Sequence, residues 1–157
     1  MVHDPQQIKN TASSFLLAAD RCFEMRPLPN GQFQMPLAPA IVCAAFGIEL
    51  YLKAIITVEK GKATGHELLK LFVRLSPQSK AALATELSLP EKELLQKLSY
   101  ISGTFVEWRY IYETQTANID TEFLRQFSKA TARLLDSLTN LPPNTGTPSS
   151  SSERSPD

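Results

Sequence analysis

The sequence predicts an all-α protein, an up-and-down bundle of four principal helices with additional short helices. Residues 36–60 are apolar on nearly every side of a helical projection, which is typical of a helix buried on all sides. Residues 121–138 place their apolar side chains on one helical face. No stretch shows the sustained apolar–polar alternation of a half-buried strand.

The first helix is predicted to run from Pro5 to about Met25. Asp4 can cap its amino end, and proline fits the first helical position because that amide has no partner inside the helix. The segment 26–31, Arg-Pro-Leu-Pro-Asn-Gly, has the residues of a loop. The apolar face of this helix comprises Ile8, Ala12, Phe15, Leu16 and Ala19.

The second helix, 36–60, is expected to end near Gly61. When successive residues are placed about 100° apart around the helix axis, its polar residues fall within one narrow sector, which forms an ionic stripe. Charges on a buried helix must pair or open onto a cleft. The third helix is expected to follow Thr64 and continue through Leu75, because Thr64 and Glu67 have the spacing of a capping box. The ionic stripe of the second helix comprises Glu49, Lys53, Thr57 and Lys60.

The sequence predicts the starts of three further helices. Ser76-Pro77 predicts a capped short helix, and Leu89-Pro90 precedes another, which continues as a helical pattern to Tyr112 with Gly103 as an interruption. Asn118 to Asp120 caps the last helix. The apolar face of that helix comprises Phe123, Leu124, Phe127, Ala130, Leu134, Leu135 and Leu138.

A chain of 157 residues fits one domain, assigned here to 1–141. Residues 142–157 are rich in serine and proline and lack apolar side chains that would offset the entropy of ordering, so we expect a disordered tail. The 16 basic and 16 acidic side chains cancel, which excludes a global nucleic-acid footprint. Nucleic-acid contact would need a local patch; Lys60, Lys62, Lys70 and Arg74 form either such a patch or a solvated helix face.

Cys22 and Cys43 lie in apolar helical contexts and are predicted to be buried, reduced thiols; a disulfide or a metal pair is the alternative. Neither a metal nor a cofactor is expected, since no zinc ligand set is apparent. The amino terminus lacks the pattern of a signal peptide, and Glu49 and Lys53 interrupt the apolar second helix. We therefore expect a cytoplasmic protein without a membrane span.

Three segments resemble the HEPN superfamily of small helical domains. These are Glu49-Leu-Tyr-Leu-Lys-Ala54, Gly65-His-Glu-Leu-Leu69 and the later run Phe105-Val-Glu-Trp-Arg-Tyr-Ile-Tyr-Glu113. Their order and spacing are similar to those of the family over roughly residues 5–138. The resemblance implies a helical bundle, and a context in microbial toxin–antitoxin, phage-defence or mobile-element systems.

HEPN-type ribonucleases carry an arginine followed four to six residues later by a histidine that transfers protons, and two such motifs face each other in a dimer. Here Arg109 is followed by Tyr-Ile-Tyr-Glu-Thr-Gln, and no arginine of the chain has a histidine at that spacing. The resemblance therefore favours a binding domain over a ribonuclease.

The predicted site combines residues of all three segments. The ligand-binding candidates are Glu49, Lys53, His66 and Arg109, and the catalytic candidates are His66, Arg109 and Glu113. Each has a structural alternative. Glu49 and Lys53 have the spacing of an intrahelical pair, as do Arg109 and Glu113, and His66 can anchor its linker on Glu49.

Three functions remain open. The first is a homodimeric binding module for RNA, a nucleotide or a protein partner, with the dimer covering the apolar second helix. The second is a divergent metal-independent endoribonuclease, with Arg109 on the scissile phosphate and His66 or Glu113 transferring protons. The third is a purely structural bundle that binds a protein partner.

Overall fold

The fold is described from a computed structural model of the chain, which describes residues 4–104, 108 and 118–140. The predicted all-α class is confirmed: the described part contains six helices and one two-stranded hairpin. The helices are α1 (Pro5–Phe23), α2 (Leu37–Lys60), α3 (Leu68–Val73), α4 (Pro77–Glu86), α5 (Glu91–Ile101) and α6 (Thr121–Asn140). The strands are β1 (Arg26–Pro27) and β2 (Phe33–Gln34).

Helix α2 is the centre of the fold. It packs against α1, α3 and α6, and the buried side chains of the described residues form one hydrophobic cluster around it. Helix α1 runs antiparallel to α2. Ser13 bonds Tyr51 across the interface at 2.7 Å between hydroxyl oxygens, and one turn nearer the hairpin the rings of Phe15 and Phe46 meet edge to face with centroids 4.5 Å apart.

The predicted caps of three helices are confirmed. Asp4 accepts a hydrogen bond from the amide of Gln6 at 2.9 Å, and Pro5 occupies the first position of α1. Ser76 accepts from the amide of Ser79 at 3.1 Å at the start of α4. The Asp120 carboxylate accepts from the amide of a residue in the first turn of α6 at 2.9 Å. These side chains satisfy backbone donors that the helices themselves leave free.

Two local predictions need correction. The predicted loop 26–31 is confirmed as a turn over 28–31, but Arg26 and Pro27 belong to an antiparallel hairpin in which Arg26 faces Gln34 and Pro27 faces Phe33, and a ladder this short shows no alternation in the sequence. The predicted capping box does not form: α3 begins at Leu68, after Glu67, which makes no side-chain cap bond. The amide of Leu69 instead donates to the Ser102 hydroxyl at 3.1 Å.

Helix α2 is covered within a single chain. Its buried residues extend from Ala40 to Thr57 and occupy nearly every side of the helix. The reasoning that a second subunit is needed to cover it therefore does not hold, and the homodimer stays a prediction. Among the described helices, α2 is the one long and apolar enough to cross a membrane, but 67% of its most apolar stretch is buried inside the fold, as in the core helices of soluble proteins.

The two cysteines are free thiols and are only half-buried, which corrects the prediction of full burial. Burial raises the pKa of the Cys43 thiol, and the nearby Cys22 raises it further. The helical pattern predicted from Pro90 to Tyr112 is interrupted at Gly103 as expected, because α5 ends at Ile101 and Ser102 and Gly103 form a turn. The predicted tail, 142–157, lies outside the described residues.

Candidate functional site

Helix α2 supplies the acid–base pair of the predicted site. Glu49 is 1% exposed and Lys53, one turn later, is 17% exposed. The Lys53 ammonium donates to Oε1 of Glu49 at 2.6 Å, so the predicted intrahelical pair is present. The other two residues of the predicted ionic stripe, Thr57 and Lys60, have different hydrogen-bond partners. The Thr57 hydroxyl donates to the Lys53 carbonyl at 2.8 Å, and the Lys60 ammonium donates to the Arg74 carbonyl.

The linker 61–67 brings a histidine onto this pair. Gly61 and Gly65 have φ of +80° and +100°, a left-handed conformation that glycine adopts without strain. The first ends α2 and the second turns the chain just before His66. The linker is fixed from outside by the Arg74 guanidinium, which donates to the carbonyls of Lys62 and Thr64. His66 therefore lies in an extended linker, and the prediction that it occupies the first turn of a helix is wrong.

His66 contacts the same carboxylate oxygen as Lys53. Its Nδ1 lies 2.9 Å from Oε1 of Glu49. An ionised carboxylate only accepts hydrogen bonds, so Nδ1 must carry the proton and the neutral ring has its lone pair on Nε2. The side chain is 81% exposed, and no described residue bonds Nε2. We name Glu49, Lys53 and His66 the Glu49 cluster: a buried carboxylate that orients an exposed imidazole.

The second carboxylate oxygen of Glu49 is less well satisfied. Oε2 is buried and has no hydrogen-bond partner among the described residues. An unpaired buried acceptor carries a desolvation penalty of about 1–3 kcal/mol. Glu49 is therefore not placed at position 49 for the stability of α2, whose other buried residues are almost all apolar.

The sequence that carries the Glu49 cluster is rich in cations. Between residues 49 and 74 the sequence has five lysine or arginine side chains and three glutamates, although the whole chain is neutral. Lys70 pairs with Glu67 at 2.7 Å. In the described part of the chain, Lys60, Lys62 and Arg74 make no ion pair with a carboxylate; these three residues are named the linker cations. These cations can attract an anion to the linker that carries His66.

The remaining candidates, Arg109 and Glu113, lie outside the described residues. In the same part of the chain Ile101 and Trp108 are buried, and Phe105 and Tyr112 also lie outside the described residues. The structure thus brings together three of the four ligand-binding candidates, Glu49, Lys53 and His66. Among the residues that it describes, no group of three or more histidine, cysteine, aspartate or glutamate side chains is placed to hold a metal ion.

Sequence reasoning missed two features near the cluster. The carboxylate of Glu59 accepts from the amide and hydroxyl of Ser76 at 2.9 and 2.8 Å and from the hydroxyl of Ser79 at 2.5 Å, which ties α2 to the start of α4. Arg74 was predicted as a surface cation, whereas it holds the linker carbonyls. Neither contact has a local signal, because each joins residues more than nine positions apart.

A groove on the surface also escaped prediction. It has a volume of about 600 Å³ and lies between α5 and the start of α6, with Lys97, Tyr100 and Phe123 among the residues that line it. Lys97 pairs with Asp120 at 3.0 Å and lies over the Phe123 ring, 5.4 Å from its centroid. The groove shares no residue with the Glu49 cluster, and two of its charged groups, Lys97 and Asp120, pair with each other.

Comparison with models of known protein families, with characterised proteins and with solved structures gives no match for this chain.

Proposed function

We propose that this chain is an HEPN-like four-helix domain that acts as a homodimeric binding module for RNA, with a phosphate bound at the Glu49 cluster and the linker cations. The observation that carries the proposal is the exposed imidazole of His66, which is held at 2.9 Å by a buried carboxylate and follows a linker whose cations pair with no described carboxylate. A microbial defence or toxin–antitoxin context belongs to the same proposal and rests on the resemblance alone.

The contact between His66 and Glu49 supports the HEPN resemblance. The segments 49–54 and 65–69 carry two of the three motifs on which that resemblance rests, and they are separated by a linker in the sequence. The hydrogen bond from Nδ1 of His66 to Glu49 joins them in space. Two motifs that meet at one polar cluster in an apolar core are consistent with a shared site.

Electrostatics favours a phosphate ligand at this place. The charge of Glu49 is already compensated by Lys53 at 2.6 Å, so the linker cations are not neutralised by it. Of these, Lys62 has an exposed side chain and contributes only its carbonyl to the fold. Phosphate contacts by such cations supply the sequence-independent part of nucleic-acid affinity. Arg109, whose guanidinium geometry suits phosphate, is proposed as a further ligand.

A second candidate function, a divergent metal-independent endoribonuclease, is favoured by the geometry of His66 itself. An imidazole whose Nδ1 is held by a carboxylate has Nε2 available to take or give a proton. In this alternative Arg109 binds the scissile phosphate and His66, or Glu113, transfers the proton. We rank it second because the arginine–histidine motif is missing.

Binding is tested with labelled single-stranded RNA and the purified full chain in a metal chelator. Lys62→Ala should weaken retention several-fold and reduce the slope of log affinity against log salt by about 0.7, the value for one phosphate contact on a single strand. Lys129→Ala is the matched control: it removes the same charge from α6, where Lys129 is exposed and contacts none of the cluster residues. Equal effects of the two variants would contradict binding at the cluster.

The same samples, analysed for strand cleavage, separate the two candidates. Retention without cleavage supports the binding module. Cleavage that is lost in both His66→Ala and Arg109→Ala would establish the ribonuclease instead. If RNA is neither retained nor cleaved, the function of the chain lies with a protein partner.

A further inference from the structure

We propose that Nε2 of His66 is a phosphoryl acceptor, so that this chain is modified on histidine by a phosphoryl donor of the acyl phosphate or phosphoramidate class. The proposal uses the Glu49 cluster but does not depend on RNA binding. It rests on the orientation of the ring, its exposure and the charges beside it.

The hydrogen bond to Glu49 makes Nε2 the nucleophilic nitrogen. The ring gives its Nδ1 proton to Oε1 of Glu49 at 2.9 Å, so the lone pair resides on Nε2. A carboxylate on one ring nitrogen fixes the tautomer and the orientation of the ring. Glu49 is 1% exposed and part of α2, so the ring is held against a rigid element.

The exposure of His66 suits a reaction with a partner from solution. The side chain is 81% exposed, although its anchoring carboxylate is buried. A histidine that only stabilised the linker would not need an exposed ring edge, and here the edge that carries Nε2 faces away from the contact with Glu49. The linker is already fixed by the Arg74 guanidinium on two of its carbonyls.

The charges around the ring suit a phosphoryl group. Lys53 compensates Glu49 at 2.6 Å, so the carboxylate does not leave a net negative charge to repel the incoming anion. Arg74 donates to the carbonyl of Thr64, two residues before His66, and Lys62 lies four residues before it; neither cation makes an ion pair with a described carboxylate. Cations near a transferring phosphoryl group stabilise its developing charge.

The transfer balances without a metal or a redox partner. The Nε2 lone pair attacks phosphorus of the donor, here acetyl phosphate, and an N–P bond forms as the P–O bond to acetate breaks. The electron pair of that bond leaves with the acetate oxygen. The ring keeps its Nδ1 proton, and Glu49 stabilises the positive charge that the imidazolium acquires.

The chain offers a clean test because it has only two histidines, His3 and His66. The full protein is incubated with acetyl phosphate or with phosphoramidate, and intact mass and peptide mapping under alkaline conditions locate the phosphoryl group. We expect one acid-labile phosphoryl group on His66 in the wild type and in His3→Gln, and none in His66→Gln.

Glu49→Gln tests the positioning role of the carboxylate. We expect phosphorylation to slow about tenfold, within the range seen when a carboxylate behind a histidine is lost. Heteronuclear NMR of the ring nitrogens should show the Nδ1–H tautomer in the wild type and a mixture in Glu49→Gln. Both effects should occur with little change in the thermal unfolding midpoint, because glutamine keeps an acceptor for Lys53 and the Lys53 ammonium is itself 17% exposed. A merely structural role of the carboxylate would lower the midpoint and leave the tautomer unchanged.

The proposal is overturned if His66 reacts no faster than free N-acetylhistidine, or if the label is on His3. It is also overturned if Glu49→Gln reacts as fast as the wild type. These outcomes are independent of the RNA test. Phosphorylation without RNA retention would refute the binding module alone, and RNA retention without phosphorylation would refute this inference alone.

Discussion

Replacing Lys53 by methionine should destabilise the fold more than replacing Lys53 and Glu49 together. The single change leaves a carboxylate that is 1% exposed without its closest cation, which now lies 2.6 Å away. The double change, Glu49→Met with Lys53→Met, removes both charges and leaves unbranched apolar side chains on a helix whose buried face is already apolar.

The magnitude follows from what remains around Glu49. Removing one partner of a buried ion pair costs about 3–5 kcal/mol. Lys53 is 17% exposed and His66 still bonds Oε1 in the variant, so we expect the lower end, about 3 kcal/mol. In a domain of this size that lowers the melting temperature by roughly 6–12 °C. Replacing the whole pair by apolar residues is often neutral or stabilising, so the double variant should regain most of the loss.

The assay is chemical denaturation at neutral pH, followed by far-UV circular dichroism and by the fluorescence of Trp108, the only tryptophan. Lys129→Met is the control, because it removes a lysine from an exposed position of α6 and should change stability by less than about 0.5 kcal/mol. If the single and double variants lose the same free energy of unfolding, the assignment of Glu49 as a buried charge that needs Lys53 is wrong.

Three more predictions concern packing and caps. A Cβ at Gly47 would lie 2.5 Å from Cδ2 of Leu16. Gly47→Ala should therefore lower the free energy of unfolding by about 1 kcal/mol, because the cost of overpacking exceeds the gain in helix propensity. In a Leu16→Ala background the same change should be neutral or stabilising. Hydrogen bonds from the amide of Phe123 and from Lys97 lower the pKa of Asp120 in the folded protein. The ionised carboxylate therefore stabilises the fold at pH values above the pKa of the unfolded chain. This stabilisation is lost as the pH falls through the lowered pKa of the folded state. Melting temperatures from pH 6 to 3 should therefore converge for wild type and Asp120→Asn at the acid end, and a constant gap would contradict the charge effect. Glu59→Gln should destabilise by about 1 kcal/mol in urea denaturation, since one amide oxygen replaces a charged acceptor of three hydrogen bonds, and an unchanged midpoint would show that the cap contributes nothing.

The helices were predictable where one residue decides their boundary. Asp4, Ser76 and Asp120 each bond an amide two or three positions later, so the signal and its effect lie in the same turn. Helix α2 was predictable for another reason: a run of 24 residues with so few charges has no stable place outside a core. In all four cases the interaction that fixes the element is local or depends on composition alone.

The start of α3 shows where local reasoning stops. Thr64 and Glu67 have the spacing of a capping box, yet the Thr64 carbonyl is bound by the Arg74 guanidinium and Gly65 has φ of +100°. A side chain ten positions away thus holds the linker extended, and the free amide of Leu69 is capped by Ser102 instead. Such contacts outweigh the stabilisation of about 1 kcal/mol that an N-cap residue provides. They also produce no periodic pattern in the sequence.

In the candidate site, too, the local contact was predictable from the sequence and the long-range contact was not. The spacing of Glu49 and Lys53 predicted their pairing, since residues four apart meet on a helix. The position of His66 was left open, because its contact with Glu49 spans 17 residues and depends on the path of the linker. The hairpin and the groove beside α5 were missed for the same reason, since both depend on how elements meet.

Glu49 is more readily explained by the chemistry of His66 than by stability. An apolar residue at position 49 would pack in α2 without a buried charge, and Oε2 has no partner in the part of the chain that the structure describes. What a buried carboxylate does, and an apolar residue cannot, is fix which nitrogen of an exposed imidazole carries the proton. Glu49→Gln keeps the volume and an acceptor for Lys53 but loses this control. We therefore expect Glu49→Gln to slow the reactions of His66, measured as the rate of phosphorylation or of any RNA cleavage. The denaturation curve of the variant should stay close to that of the wild type. A large loss of stability with unchanged reactivity would instead show that Glu49 serves the fold.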